Sequence, residues 1–220
     1  MCFSATANFT GSVVIGAVGV ATLREVRHRR AFLFGSIPLL FALHQFIEGF
    51  VWLGLDGRMS AATAHDMGAA FVLYAQGLLP FLLPLSVYII EPTPHRRKRM
   101  LPFVLLGGGL TLYTLWGLTA FPLSVYARHH GIVYSNPATT VAAVAVLYVI
   151  ATCGALFFSG FRYLIIFGIA NFIGLTVVAI VMSYAFTSVW CAYAAVASVI
   201  IYFHFRHRRD MPPVAYPARA

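Results

Sequence analysis

Charge is the scarcest thing in this chain. Of its 220 residues only 15 are Lys or Arg and 6 are Asp or Glu, 10% in all. A soluble domain carries about 25% charged residues. Too few charges remain to coat a surface in water, which excludes an ordinary soluble fold and leaves a chain solvated by acyl tails. Lysine is almost missing: Lys98, in a basic cluster, is the only one. A retinal Schiff base inside a membrane helix is therefore excluded. Neither G-x-S-x-G nor H-E-x-x-H occurs, nor a glycine loop that could cradle phosphates. The opening "MCFSATANFT" has no basic flank before its apolar core and does not read as a cleavable secretion signal. No internal repeat is present, so an inverted-repeat transporter is not supported.

What is abundant is hydrocarbon. The chain is 60% hydrophobic with a mean hydropathy of +0.84. Seven apolar runs span roughly 5–23, 31–54, 66–90, 100–121, 138–158, 161–184 and 187–205. Backbone hydrogen bonds cannot be left open in lipid and the runs do not alternate, so helices rather than a barrel are predicted. The cations fall between alternate runs. Arg24, Arg27, Arg29 and Arg30 follow the first, Arg96, Arg97, Lys98 and Arg99 the third, Arg162 the fifth, and Arg206, Arg208 and Arg209 the last. Only Arg58 and Arg128 fall in the other set of loops. Basic loops stay in the cytoplasm. The expected fold class is thus all-α, an integral membrane bundle of seven transmembrane helices with the amino terminus outside and the carboxyl terminus cytoplasmic. It fills residues 1–209 and leaves 210–220, "DMPPVAYPARA", as a loose tail. The basic loops would meet anionic lipid headgroups, not nucleic acid. Small residues in "GAVG" (16–19) and "GGG" (107–109) offer close helix contacts, and Pro80 and Pro84 should kink or soften the third span. Short loops leave no room for a separate soluble catalytic domain, so function must lie within the bundle or at its mouths.

One stretch breaks the apolar rule. "HQFIEGFVW", residues 44–52, puts His44, Gln45 and Glu48 inside the second run. His44 and Glu48 are four apart and share a helix face. A carboxylate near mid-membrane costs about 2.5–3.5 kcal/mol on insertion scales, so Glu48 needs a partner, a proton or a polar cavity. Other polar residues map to the same outer half: Cys2, Ser4 and Asn8 on the first helix, His65, Asp66 and Gln76 on the third, and Cys191 near the outer end of the seventh. His129 and His130 sit in the longest outer loop. Cys, His and Glu are the side chains that hold zinc or copper. The candidate metal shell is Cys2, His44, Glu48 and Cys191, closed from above by His129 or His130. With the initiator Met removed, the free amine of Cys2 would join its thiolate. Structural readings stand beside this one. His44 and Glu48 fit a buried hydrogen-bonded pair that fixes packing. Cys2 and Cys191 fit a disulfide on an oxidising face, or two inert thiols. His65 and Asp66 fit a solvated helix start, Asn171 an amide that pairs helices, and His204 a member of the interfacial basic set. His44 and His204 lie at opposite depths, which speaks against a bis-histidine haem.

The segments "MCFSATANF", "HQFIEGFVW", "ATCGALFFS" and "SVWCAYAAVASVIIYFHF" resemble an uncharacterised family of small bacterial multi-spanning membrane proteins over nearly the whole chain. That resemblance implies a bacterial inner-membrane location and draws attention to the core Gln45–Gly49, but it supplies no activity. In architecture the chain is also similar to membrane zinc hydrolases of the alkaline ceramidase type, which have seven helices and a histidine-lined site opening into the membrane. It departs from them in lacking deep paired histidines late in the sequence, since His204 and His207 fall near the interface.

Three functions follow as expectations. The first is a metal-dependent membrane protein, either an intramembrane hydrolase or a metal carrier, with His44 and Glu48 as the working residues. The second is a non-catalytic subunit that packs against other membrane proteins, a second copy of itself, pigment or quinone, suggested by its 15% aromatic content. The third is a proton or solute channel through Glu48 and His44.

Overall fold

The structure is a computed structural model and describes residues 4–128, 131–181 and 186–207. Over these residues the chain forms helical rods at each of the seven apolar runs. The first is α1 (Ala5–Glu25), which starts where the Ser4 hydroxyl accepts the Ala7 N–H. The second opens with a 3-10 turn (Arg29–Ala31) and α2 (Phe32–Gly35), then runs as α3 (Ile37–Leu55), with Pro38 in its first turn. Gly57, at φ 72°, lets the chain reverse into the third rod, since a left-handed backbone suits a residue with no Cβ. That rod is α4 (Ala61–Val72), a π-helical stretch (Leu73–Leu78) and α5 (Leu79–Ile90). Then come α6 (Pro94–Ala120), α7 (Ala142–Phe157), α8 (Arg162–Val181), and a last rod divided at Ser198 into α9 (Phe186–Ala197) and α10 (Val199–His207).

The all-α expectation holds, with helices at all seven apolar runs. Among the described residues four rods are long and apolar enough to cross: Ala5–Glu25, Arg29–Leu55, Ala61–Ile90 and Pro94–Ala120. At 1.5 Å per residue the 16 residues of α7 rise about 24 Å, short of a hydrocarbon core of about 30 Å. The surface is the reverse of a soluble one. Val13, Leu105, Leu112 and Ile180 are 66–78% exposed, while His44, Gln45 and Glu48 are fully shielded.

Small residues set the helix contacts. α1 runs antiparallel along α3, with Gly16 against Ala42, Gly19 against Leu39 and Gly49 under the Phe9 ring. The Ser12 hydroxyl donates to the Ala42 carbonyl at 2.8 Å across this seam. Between α5 and α6 the approach is closer still, because a Cβ on Gly107 would strike the Pro80 carbonyl. The irregularity expected from Pro80 lies in the turn before it. Proline has no N–H to offer Gln76, four residues back. The Thr114 hydroxyl of α6 donates to that carbonyl at 3.3 Å, and Thr111 donates to Gly77 at 2.9 Å. The third and fourth rods are thus stitched together where the third is weakest.

The two ends differ. At one end the predicted outer loop is a hairpin, β1 (Ser124–Arg128) antiparallel to β2 (Gly131–Ser135), which the sequence reading did not anticipate. Ile132 and Tyr134 of β2 are buried against the bundle, and Asn136 fastens the hairpin base to the end of α6. At the other end the basic segments meet. Arg206 pairs with Glu25 at 2.9 Å, and the buried Glu91 accepts the Gly160 N–H at 2.7 Å. His204 is here too, not exposed among the cations but buried with its ring among Phe34, Phe161 and Phe205.

Candidate functional site around His44 and Glu48

The second rod presents Phe41, His44, Gln45, Glu48, Val51 and Trp52 to the interior, all buried. These positions recur every three or four residues and so form one face of α3. Leu43 and Phe46 point the other way and are exposed. The polar residues therefore look into the protein and not at lipid.

Two elements close on His44. Its imidazole lies over the Phe71 ring of α4, with centroids 4.0 Å apart and planes 18° from parallel. Tyr74 of the π-helical stretch approaches at 4.5 Å. Phe71 is in turn stacked on Tyr134 of the hairpin at 4.4 Å and 15°. Imidazole, phenyl and phenol make one continuous stack from mid-helix to the hairpin. It fixes the plane of His44 without using its nitrogens. Among the described residues neither His44 Nδ1 nor Nε2 has a hydrogen-bond partner. Gln45 Oε1 and Nε2, Trp52 Nε1 and Asn8 Oδ1 also lack one. The predicted hydrogen-bonded pair of His44 with Glu48 is therefore not formed, although both are buried one turn apart. An unpaired buried polar group costs about 1–3 kcal/mol. His44, Gln45 and Trp52 share the buried face of α3.

His44 and Glu48 are on the same inward face. Cys2, His129 and His130 lie outside the described residues, as does the side chain of Cys191. The helix that carries Cys191, α9, packs against α3, β2 and the π-helical stretch, which brings its backbone to this side of the site. Among the described residues no three of His, Cys, Asp and Glu are close enough together to hold one ion. His65 and Asp66 stay exposed near the start of α4, 3.8 Å apart. Asn171 does not pair helices through its amide nitrogen, which donates to the Phe167 carbonyl of its own helix at 2.6 Å.

Sequence reasoning missed the aromatic wall. Trp52 was legible, since it falls four residues after Glu48 on the same face. Phe71 and Tyr74 looked like ordinary core residues of an apolar run. Tyr134 carried no usable signal while its segment was read as a loop.

A family model, DUF6629, matches residues 1–216. The chain belongs to this family. DUF6629 is a family of unknown function, in keeping with the resemblance to an uncharacterised family. No curated protein and no solved structure matches the chain. What DUF6629 members do must therefore be argued from the interior of the bundle.

Proposed function

We propose that this chain is a multi-pass inner-membrane protein that binds a transition-metal ion, zinc or copper, on His44 and Glu48 in the hairpin half of the bundle. One observation carries the reading: a fully buried histidine is locked in plane by Phe71 and Tyr74 while both its nitrogens lack partners among the described residues. A neutral imidazole held in one orientation with a lone pair unengaged is a ready metal ligand. Glu48 would supply anionic oxygen one turn on, and Cys2 and Cys191 are the thiolates the sequence offers to complete the shell. The concentration of arginine at the opposite end supports an orientation with that end in the cytoplasm, against anionic headgroups, and the metal site toward the outside.

Such an ion could act as a Lewis acid on a bond delivered from the membrane, or be cargo in transit. Retention separates the two: a resident ion survives gel filtration with a chelator, whereas cargo is stripped. The test is elemental analysis of protein purified in mild detergent. About one zinc or copper per chain is expected, falling well below stoichiometry in His44→Ala and Glu48→Gln. Folded wild-type protein without stoichiometric metal, even after incubation with either ion, would overturn the proposal.

A second reading rests on Gln45, Trp52 and Asn8. Their atoms without a partner among the described residues include both donors and acceptors, more than one ion would use, and such groups are commonly bridged by buried water. That supports a proton or solute path past Glu48. Liposome flux that is unchanged in Glu48→Gln would eliminate it.

A further inference from the structure

We infer that the first turns of α6 bind one anionic phospholipid, with the phosphate at Arg97 and Lys98 and the acyl chains along Leu101, Leu105 and Leu112. The inference deepens the reading of the basic end as membrane-facing and is independent of the metal site.

The cations of this turn are not equivalent. Arg96 is engaged within the protein, donating to the Ser159 carbonyl at 2.9 Å. Arg97 is pinned in another way: its guanidinium carbon lies 4.6 Å from the centre of the Tyr88 ring. A ring face orients an arginine but accepts none of its N–H groups in the way an anion does. Among the described residues the Arg97 side chain has no ion pair, and its Nε is shielded from solvent without an acceptor. The acids that could answer it are occupied. Glu91 is buried and accepts from Thr93, Ser159 and Gly160, and Glu25 is paired with Arg206. A positioned guanidinium with no internal countercharge matches a phosphate, which planar N–H donors grip better than a point charge does.

The same helix says what carries that phosphate. At 100° per residue, positions 97, 98, 101, 105 and 112 fall within about 100° of one another around α6. Leu101, Leu105 and Leu112 are 41%, 66% and 71% exposed. Cationic groups at the head of an exposed hydrocarbon strip on one helix face fit an amphiphile. Free phosphate or a nucleic acid would leave the strip unused.

Native mass spectrometry of the detergent-purified chain tests this, with phosphatidylglycerol, phosphatidylcholine of the same acyl chains, and inorganic phosphate as probes. One phosphatidylglycerol per chain should be retained, about tenfold more strongly than phosphatidylcholine. Arg97→Gln should weaken it about tenfold, and Tyr88→Leu, which removes no charge, several-fold. The triple variant Arg27→Gln, Arg29→Gln, Arg30→Gln removes more charge from the same end and should leave retention unchanged. Equal loss in the triple variant would show a diffuse field and overturn the site while leaving the basic end membrane-facing. Competition by millimolar inorganic phosphate, or no preference over phosphatidylcholine, would overturn it as well. If Arg97→Gln fails to give a folded monodisperse protein, Arg97→Lys replaces it, and unchanged retention in that variant and in Tyr88→Leu counts against the proposal.

Discussion

Asn136 and His44 are both polar side chains shut away from solvent, and the fold treats them in opposite ways. The Asn136 amide donates to the carbonyls of Gly117, Phe121 and Pro122 and accepts the N–H groups of Ala138 and Thr139. Every atom it buries is answered, and in answering it the chain joins the hairpin to the end of α6. Glu91 does the same at the basic end, where its carboxylate closes the α5–α6 turn onto the α7–α8 turn. His44 and Gln45 are buried as deeply, and among the described residues their side-chain polar atoms have no hydrogen-bond partner. Where a buried polar group is completed by its own chain, it is structure. His44 is a stacked ring whose nitrogens have no partner among the described residues, which is what the proposed metal site requires.

That contrast breaks first at Asn136. Replacing it with alanine takes a donor from the carbonyls of Gly117, Phe121 and Pro122, of which Gly117 keeps the Phe121 N–H, and the acceptor from two N–H groups, with an expected loss of about 3 kcal/mol in detergent unfolding. A loss under about 1 kcal/mol would mean that water reaches the junction and that its hydrogen bonds are not what holds the hairpin. Glu91→Gln is gentler. The amide oxygen can still accept from Gly160, but the charge-assisted part is lost, and about 1.5 kcal/mol is expected. Third is Thr114→Val, which keeps the shape of α6 but withdraws the hydroxyl from the Gln76 carbonyl that Pro80 cannot serve. About 1 kcal/mol is expected, together with faster amide exchange through Leu73–Leu78.

The legible part of this molecule is what lipid imposes. Apolar runs and alternating arginines are large, regular signals, and helices appear at each of the seven runs. The irregular parts escaped because they depend on partners distant in sequence. Nothing local in "SVYAR" and "GIVYS" outweighs the expectation of a loop once the neighbouring runs are read as membrane spans. His204 was read from its basic neighbours, yet it is buried by Phe34, some 170 positions earlier in the chain. In the site itself, His44 and Glu48 were visible as violations of the apolar pattern. Phe71 and Tyr74 were invisible for the opposite reason: they obey it.

The smallest expected effect decides most. His44→Phe keeps a flat ring between Phe71 and Tyr74 and deletes both nitrogens. If those nitrogens serve the fold, the loss should approach that of Asn136→Ala. If they serve a guest, chelator-treated His44→Phe should unfold within about 0.5 kcal/mol of chelator-treated wild type, or somewhat later, because replacing an unsatisfied polar group by an apolar one of similar shape is nearly neutral. Metal added back should then stabilise the wild type alone, by an amount that grows with the logarithm of free metal above its dissociation constant. A substitution that is silent in the apo protein and abolishes the metal-dependent shift separates a ligand from a strut, a separation the Asn136 and Glu91 variants cannot make.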